Sequence, residues 1–370
     1  MTTDTALAAP TEASTASLGS RVRTSVEVLV FGALPVALTA STLAKPGRGW
    51  DFRVFYLAGQ AYLDGRSPYP HAATHAAVAA KNAFVYPAPA AAAFAPFAAL
   101  PYGVAFGLWL TLSIVAIPAA VRILGVTDWR CMGALFLTAP VRDGLRLGTI
   151  MPVLLLLVAL LWHYRNSAVR AAVLAAAAGV AKLVLLPLVV WLAATRRFRA
   201  AALAALIGAA CVAAAWAAIG FGGFESYPAL VRTLAAFEQT FSWSVTSLGI
   251  YAGLGAGDAT ALAIGAGVLL LTLAVVHGRD ESLAFRLALA ASFVVSPIVW
   301  GHYYVLLAAP LALRRPRLSL VWLAAGWISA DTLAVHDRTL WTFAALLVLA
   351  LQLDLLPFVT RQQTRPVAGV

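Results

Sequence analysis

The chain has 370 residues, 62% hydrophobic and only 11% charged, where a soluble domain carries about 25% charged residues. Basic residues outnumber acidic ones by 26 to 15, a net charge of +11, but most arginines stand in short clusters between apolar runs, where they orient a membrane protein rather than bind nucleic acid. A soluble enzyme, a secreted disulfide scaffold and a DNA-binding domain are thereby excluded. The runs lack the two-residue alternation of a barrel strand, which leaves an all-α polytopic membrane protein.

Residues 1–24 are polar and rich in Ala, Ser and Thr, the composition of a disordered cytoplasmic N-terminus. Arg21 and Arg23 precede an apolar run at 26–43 with no clear cleavage site behind it, so this run is expected to be a first membrane segment rather than a signal peptide. A long loop over about 44–102 follows. Within it, Phe52, Phe55, Gly59 and Tyr62 recur at helical spacing, predicting an amphipathic helix on the outer membrane surface. Pro87, Pro89, Pro96 and Pro101 argue against an ordinary spanning helix and predict a bent, outward-facing segment that closes the loop.

Further apolar runs lie near 103–124, 131–141, 149–163, 171–181, 183–195, 200–220, 258–277, 284–299, 303–313, 318–335 and 339–357. Together they predict about twelve membrane segments in one domain over 25–358, with a cytoplasmic tail at 359–370. The runs at 131–141, 171–181 and 303–313 fall short of the roughly 20 residues a span needs and read as half-helices lining a cavity. Alternating the sides brings Arg165 and Arg170, Arg196, Arg197 and Arg199, Arg279 and Arg286, Arg314, Arg315 and Arg317, and Arg361 and Arg365 together with the N-terminus. Both termini are therefore expected in the cytoplasm of a plasma-membrane protein. The opposite face collects the first loop, the segment 140–146, the turn at Lys182, a second loop over about 221–257 and the Trp300-Gly301-His302 corner. Cys131 and Cys211 form no CxxC or Cys/His spacing, so neither a disulfide nor a metal site is expected. No internal repeat, phosphate loop or dinucleotide fingerprint is present.

Candidate chemistry falls on that outer face. Asp51 begins the amphipathic helix, as an N-cap or as an interfacial carboxylate able to act as a general base. Lys182 is the one lysine between two apolar runs; it is a snorkelling side chain or, with Arg142 and Arg146, part of a phosphate clamp. His302, without a second histidine at helical spacing or an adjacent carboxylate, suits hydrogen bonding to a phosphate or sugar better than metal ligation. Glu225, Tyr227, Glu238, Gln239, Trp243, Ser244 and Ser247 interleave aromatic and polar groups along the second loop, a composition equally suited to sugar binding or to resting on lipid.

Taken in order, the stretches at 50–69 (WDFRVFYLAGQAYLDGRSPY), 84–89 (FVYPAP), 145–157 (LRLGTIMPVLLLL), 179–188 (GVAKLVLLPL), 196–199 (RRFR) and 296–304 (SPIVWGHYY) resemble the GT-C superfamily of membrane glycosyltransferases. Within it they are most similar to glycosyltransferase family 87, the polyprenyl-phosphate-mannose-dependent mannosyltransferases of actinobacterial envelope glycolipid synthesis. The chain departs from the family's usual pattern at Gly148-Thr149-Ile150-Met151, at His302-Tyr303, and at Leu183 to Leu186, which delay Pro187.

The resemblance implies a GT-C-type bundle with an extracytoplasmic active site, a lipid-linked sugar donor and an inverting single displacement. Asp51 would be the base. Lys182, Arg142, Arg146 and His302 would hold the donor phosphate, and Tyr56, Tyr86, Trp243 and Trp300 would contact acceptor or sugar. The expected partners are a polyprenyl-phosphate-sugar donor, a glycolipid acceptor such as a phosphatidylinositol mannoside and the bilayer, with no nucleic acid, cofactor or metal. A polyprenyl-phosphate-arabinose-dependent arabinofuranosyltransferase is the neighbouring alternative. A secondary transporter is the alternative from another class, although the chain lacks the paired halves usual there.

Overall fold

A computed structural model describes residues 12–70, 76, 78, 83–239 and 242–325, and all regular structure among them is helical. The predicted runs at 339–357 and most of 318–335, and the tail at 359–370, lie outside the described residues. Four helices are long and apolar enough to cross a membrane, and a bent pair raises the number to five. The described residues thus combine four or five full spans with shorter apolar helices, and do not establish the count of about twelve segments. The difference arises because composition stays apolar through points where the backbone turns.

The first span begins earlier than predicted. Helix α1 (Glu12–Val28) passes through a π-helical turn at Leu29–Ala33 into α2 (Leu34–Leu43). Residues 12–24, expected to be disordered, thus extend a formed helix, where propagation is far easier than nucleation. After a short turn comes α3 (Trp50–Leu63), the helix predicted from the aromatic spacing. Its apolar stripe does not lie on lipid. Phe52 and Phe55 are fully buried, and Gly59 abuts the backbone of Phe94 in α4 (Ala88–Ala98). The predicted bent, outward-facing segment is thus an 11-residue apolar helix enclosed by α3 and its neighbours, with Pro96 inside it. At 1.5 Å per residue it is about 16 Å long, too short to span.

Helix α5 (Tyr102–Ile123) is a full span. The predicted run at 131–141 divides into α6 (Trp129–Phe136) and the start of α7 (Ala139–Leu147), which turns by 115° into α8 (Met151–His163). Next come α9 (Ala168–Ala181), which ends at Lys182, a 3₁₀ turn at Leu183–Leu185, and α10 (Pro187–Ala194). Lys182 takes extended backbone angles, and Pro187 restarts the helix where its missing N–H is not needed. Helices α11 (Phe198–Ala218) and α14 (Ala256–Val276) are full spans, and between them the second loop folds into α12 (Tyr227–Glu238) and α13 (Val245–Tyr251). Helix α15 (Glu281–Val294) ends before Pro297, and a 3₁₀ turn at Gly301–Leu307 leads into α16 (Ala308–Arg314) and α17 (Leu320–Ala325).

Helices α8, α9 and α15 share two ends, α8 running from one to the other and α9 and α15 running back. At one end, Glu281 accepts from Arg165 Nε at 2.8 Å and from Arg197 Nη2 at 2.5 Å, tying the start of α15 to the α8–α9 turn and the start of α11. At the other end lie the start of α8, the end of α9 at Lys182 and the end of α15. A 13-residue helix such as α8 separates the two by about 20 Å.

Candidate active site

The second end holds a cavity of about 640 Å³, lined by Asp51, Tyr86, Arg146, Glu238, Trp300 and His302 among others. Its wall is mostly apolar, from Val54, Val85, Leu147, Leu234 and Phe237. Two glycines fix the backbone beside it. Gly49 precedes α3 with φ +71°, and Gly148 ends α7 with φ +70°, a conformation that costs any other L-residue about 1–2 kcal/mol. A Cβ on Gly148 would sit 2.7 Å from Phe52 Cβ, so the elbow and α3 can meet only through a glycine. Gly49 N–H donates to Arg146 O at 2.7 Å, Arg146 Nη1 donates to Pro46 O at 2.8 Å, and Trp109 Nε1 donates to Gly148 O at 2.9 Å. Beneath them Phe52 packs against Phe94, Phe97, Tyr102, Phe106 and Trp109. Each such ring buries about 150–250 Å², so the start of α3 is rigidly mounted.

Asp51 stands inside the first turn of α3, not at its cap, which is Gly49. Its carboxylate lines the cavity, with Oδ2 3.9 Å from His302 Nε2. That separation exceeds a hydrogen bond, and His302 Nε2 is buried with no partner among the described residues. Burial pushes the Asp51 carboxyl up from 3.8 to about 6, against the opposing pull of the Lys182 ammonium and the Arg146 guanidinium. A carboxylate poised there takes a proton more readily than an ordinary one near neutral pH.

Lys182 is brought to the same place from the end of α9. Its Nζ lies 3.9 Å from the ring centre of Tyr303, 4.7 Å from that of Tyr86 and 5.8 Å from that of Trp300. Ring faces attract a cation, so the three aromatics cradle the ammonium behind the cavity wall, which Tyr86 and Trp300 line and Lys182 itself does not. Arg146 reaches the cavity from α7, braced by Asp143 Oδ1 at 3.3 Å from its Nε.

Other residues singled out from the sequence lie elsewhere. Arg142, one helical turn before Arg146, is buried away from the cavity lining, with Nη1 3.4 Å from Thr42 Oγ1 and Nε without a partner among the described residues. Tyr56 packs on Tyr102 and donates its hydroxyl to Leu100 O at 2.7 Å. Trp243 holds the 296–304 corner through its backbone: its N–H donates to Val299 O at 2.7 Å and its carbonyl accepts from Tyr304 OH at 2.8 Å. Neither Tyr56 nor Trp243 lines the cavity. Tyr86 and Trp300 do. Glu238, noted in the sequence only as part of a polar and aromatic loop, also lines it and accepts from Trp300 Nε1 at 3.1 Å. The signal that could have found Glu238 is its spacing, since it shares one helical face with Leu234 and Phe237.

In chemical terms the cavity joins the half-buried Asp51 carboxylate, a second carboxylate from Glu238, the Arg146 guanidinium, the His302 imidazole and an apolar wall, with the Lys182 ammonium behind its aromatic lining. No curated protein and no solved structure matches the chain. A family model described as glycosyltransferase family 87 matches residues 84–299, a stretch that includes Tyr86, Arg142, Arg146, Lys182 and Glu238, while Asp51, Trp300 and His302 flank it. That match covers more than half of the chain, which therefore belongs to glycosyltransferase family 87 and is a membrane glycosyltransferase.

Proposed function

We propose that this glycosyltransferase transfers mannose from polyprenyl-phosphate-mannose to a lipid-linked glycan, such as a phosphatidylinositol mannoside, at the extracytoplasmic face of the plasma membrane. The observation that carries the reading is the convergence of Asp51 and Arg146 on one cavity with an apolar wall, with the Lys182 ammonium set just behind it against the rings of Tyr86 and Trp300. A sugar phosphate on an isoprenoid needs cations for its phosphate and an apolar surface for its tail, and the acceptor hydroxyl needs a base. Orientation follows from charge: the arginines around Glu281 mark the cytoplasmic end of the short helices, which leaves the cavity at the other end. Nucleotide sugars stay in the cytoplasm, so a transferase working outside must draw on a lipid-linked donor.

In the step itself the acceptor oxygen attacks the anomeric carbon as the bond from that carbon to the phosphate oxygen breaks. Asp51 takes the hydroxyl proton, and polyprenyl phosphate leaves with the bonding pair, its charge balanced by Arg146 and Lys182. One displacement inverts the anomeric centre. His302 positions phosphate or acceptor beside Asp51. No metal and no cofactor enters this scheme, because the donor is a substrate and the cations belong to the chain.

The test is transfer of radiolabel by membranes carrying the protein, with each lipid-linked sugar offered in turn. Labelled glycolipid from the mannose donor is the expected result. Label from the arabinose donor alone would replace mannose with arabinofuranose, and absence of transfer from every polyprenyl-phosphate sugar would overturn the reading.

A further inference from the structure

The reaction as written uses one carboxylate, yet the cavity contains two. Helix α12 turns Leu234, Phe237 and Glu238 to the same side, two apolar residues followed by an acid. The carboxylate is held in register from across the cavity, where Trp300 Nε1 donates to Oε2 at 3.1 Å. The backbone around that contact is pinned as well. Ser242 Oγ accepts from Val299 N at 2.8 Å, Trp243 N–H donates to Val299 O, and Ser242 N–H donates to Glu238 O at 2.7 Å. The end of α12 and the corner carrying Trp300 are therefore one unit.

The chemistry of this unit selects a ligand class. A carboxylate only accepts hydrogen bonds when ionised, and it repels phosphate, which is drawn instead toward Arg146 and Lys182. With one oxygen committed to the indole N–H, the other, which has no hydrogen-bond partner among the described residues, can accept from a hydroxyl. The neighbouring Trp300, Phe237 and Leu234 offer apolar surface to the C–H face of a ring. A neutral ring with hydroxyl edges and an apolar face is a sugar.

We infer that Glu238, oriented by Trp300, is the sugar-recognition residue of this cavity, accepting a hydrogen bond from a ring hydroxyl. The inference deepens the proposed function and rests on it. The ring belongs either to the transferred sugar on the donor or to the acceptor glycan, and kinetics separate the two.

The experiment uses the full-length protein in lipid nanodiscs, with donor and acceptor varied separately for wild type, Glu238→Gln and Trp300→Phe. The amide oxygen of glutamine still accepts from Trp300, so the corner stays assembled while the charge on the hydroxyl partner is lost. Exchanging a charge-assisted hydrogen bond for a neutral one should raise KM severalfold, to about tenfold, with kcat close to wild type. A rise confined to the acceptor assigns the acceptor ring, and one confined to the donor assigns the transferred sugar. Trp300→Phe should raise the same KM by a smaller factor. Unchanged KM for both substrates in Glu238→Gln overturns the inference, as does a loss of kcat at unchanged KM.

A binding measurement keeps this result separate from the reaction. Saturation-transfer NMR with methyl α-mannoside should give a signal with wild type that weakens with Glu238→Gln. Sugar binding that depends on Glu238, without transfer from any lipid-linked donor, would sink the proposed function and leave this site standing. Equal signals from both proteins would remove the site.

Discussion

In the proposed mechanism Asp51 combines two properties that conflict energetically: it works as a charged carboxylate, and its side chain is only 21% exposed. Only the ionised form can accept a proton, so kcat/KM should fall about tenfold per pH unit below pH 6 and level off above it, where the carboxyl is deprotonated. Asp51→Asn should lose a factor of at least about 10²–10⁴ in turnover, the usual worth of a positioned base; near-normal activity of the purified variant would remove the assignment.

The same burial has a consequence for stability. A carboxyl whose pKa rises from 3.8 to about 6 on folding stays protonated in the native protein while the unfolded chain ionises. Native stability therefore declines as pH climbs between these values, by up to about 3 kcal/mol in total. Asp51→Asn cannot ionise, so its melting temperature in detergent should match wild type near pH 4, exceed it increasingly toward pH 6.5 and keep a constant lead beyond. A lead that is absent at pH 8 would show that the carboxyl is not desolvated. Lys182, cradled by Tyr86, Tyr303 and Trp300, answers a different question. Lys182→Met keeps the packing and removes the cation, and should raise the donor KM while leaving the acceptor KM alone.

Among the elements, the elbow between α7 and α8 matters most to the site. It brings Arg146 to the cavity and lets α3 rest on the chain at Gly148, whose positive φ and contact with Phe52 leave no space for a side chain. Gly148→Ala should cost on the order of 1–3 kcal/mol through backbone strain alone, and more if Phe52 has to move. The expected outcome is a lower melting temperature together with reduced transfer, although Gly148 carries no group that could act on substrate. Full activity at wild-type stability would mean that the elbow relaxes without disturbing α3. Breaks at Lys182 and Pro297 do similar work, ending α9 and α15 at the cavity so that the lysine and the Trp300–His302 corner arrive from separate helices.

For the protein as a whole, the two ends of the short helices differ in kind. One holds the arginine cluster around Glu281 and the other the cavity, about 20 Å apart. If the arginines face the cytoplasm, a cysteine at the cavity rim should react with a membrane-impermeant maleimide added outside intact cells, and one beside the arginines only after lysis. Trp50→Cys and Arg199→Cys, each in a Cys211→Ser background because Cys211 is exposed, provide the pair. The reverse pattern would turn the active site to the cytoplasm and rule out the proposed topology.

Much of this architecture is written locally. The excess of apolar residues, the arginine clusters, the helix of Phe52, Phe55 and Gly59, and the position of Asp51 at its start follow from composition and from a period of 3.6, because these properties depend on neighbours along the chain. The number of spans does not follow, because hydropathy averages over a window and is blind to the direction of the backbone at Gly148 or Lys182. Nor does the membership of the cavity. Arg142 and Arg146 share a helix at a spacing of four, yet one reaches Thr42 and the other the cavity, a distinction set by what α2 and α3 place beside them. The meetings of Asp51 with His302 and of Glu238 with Trp300 join residues far apart in the chain. Such pairings depend on how the helices pack, and packing is a property of the whole fold that no local pattern encodes.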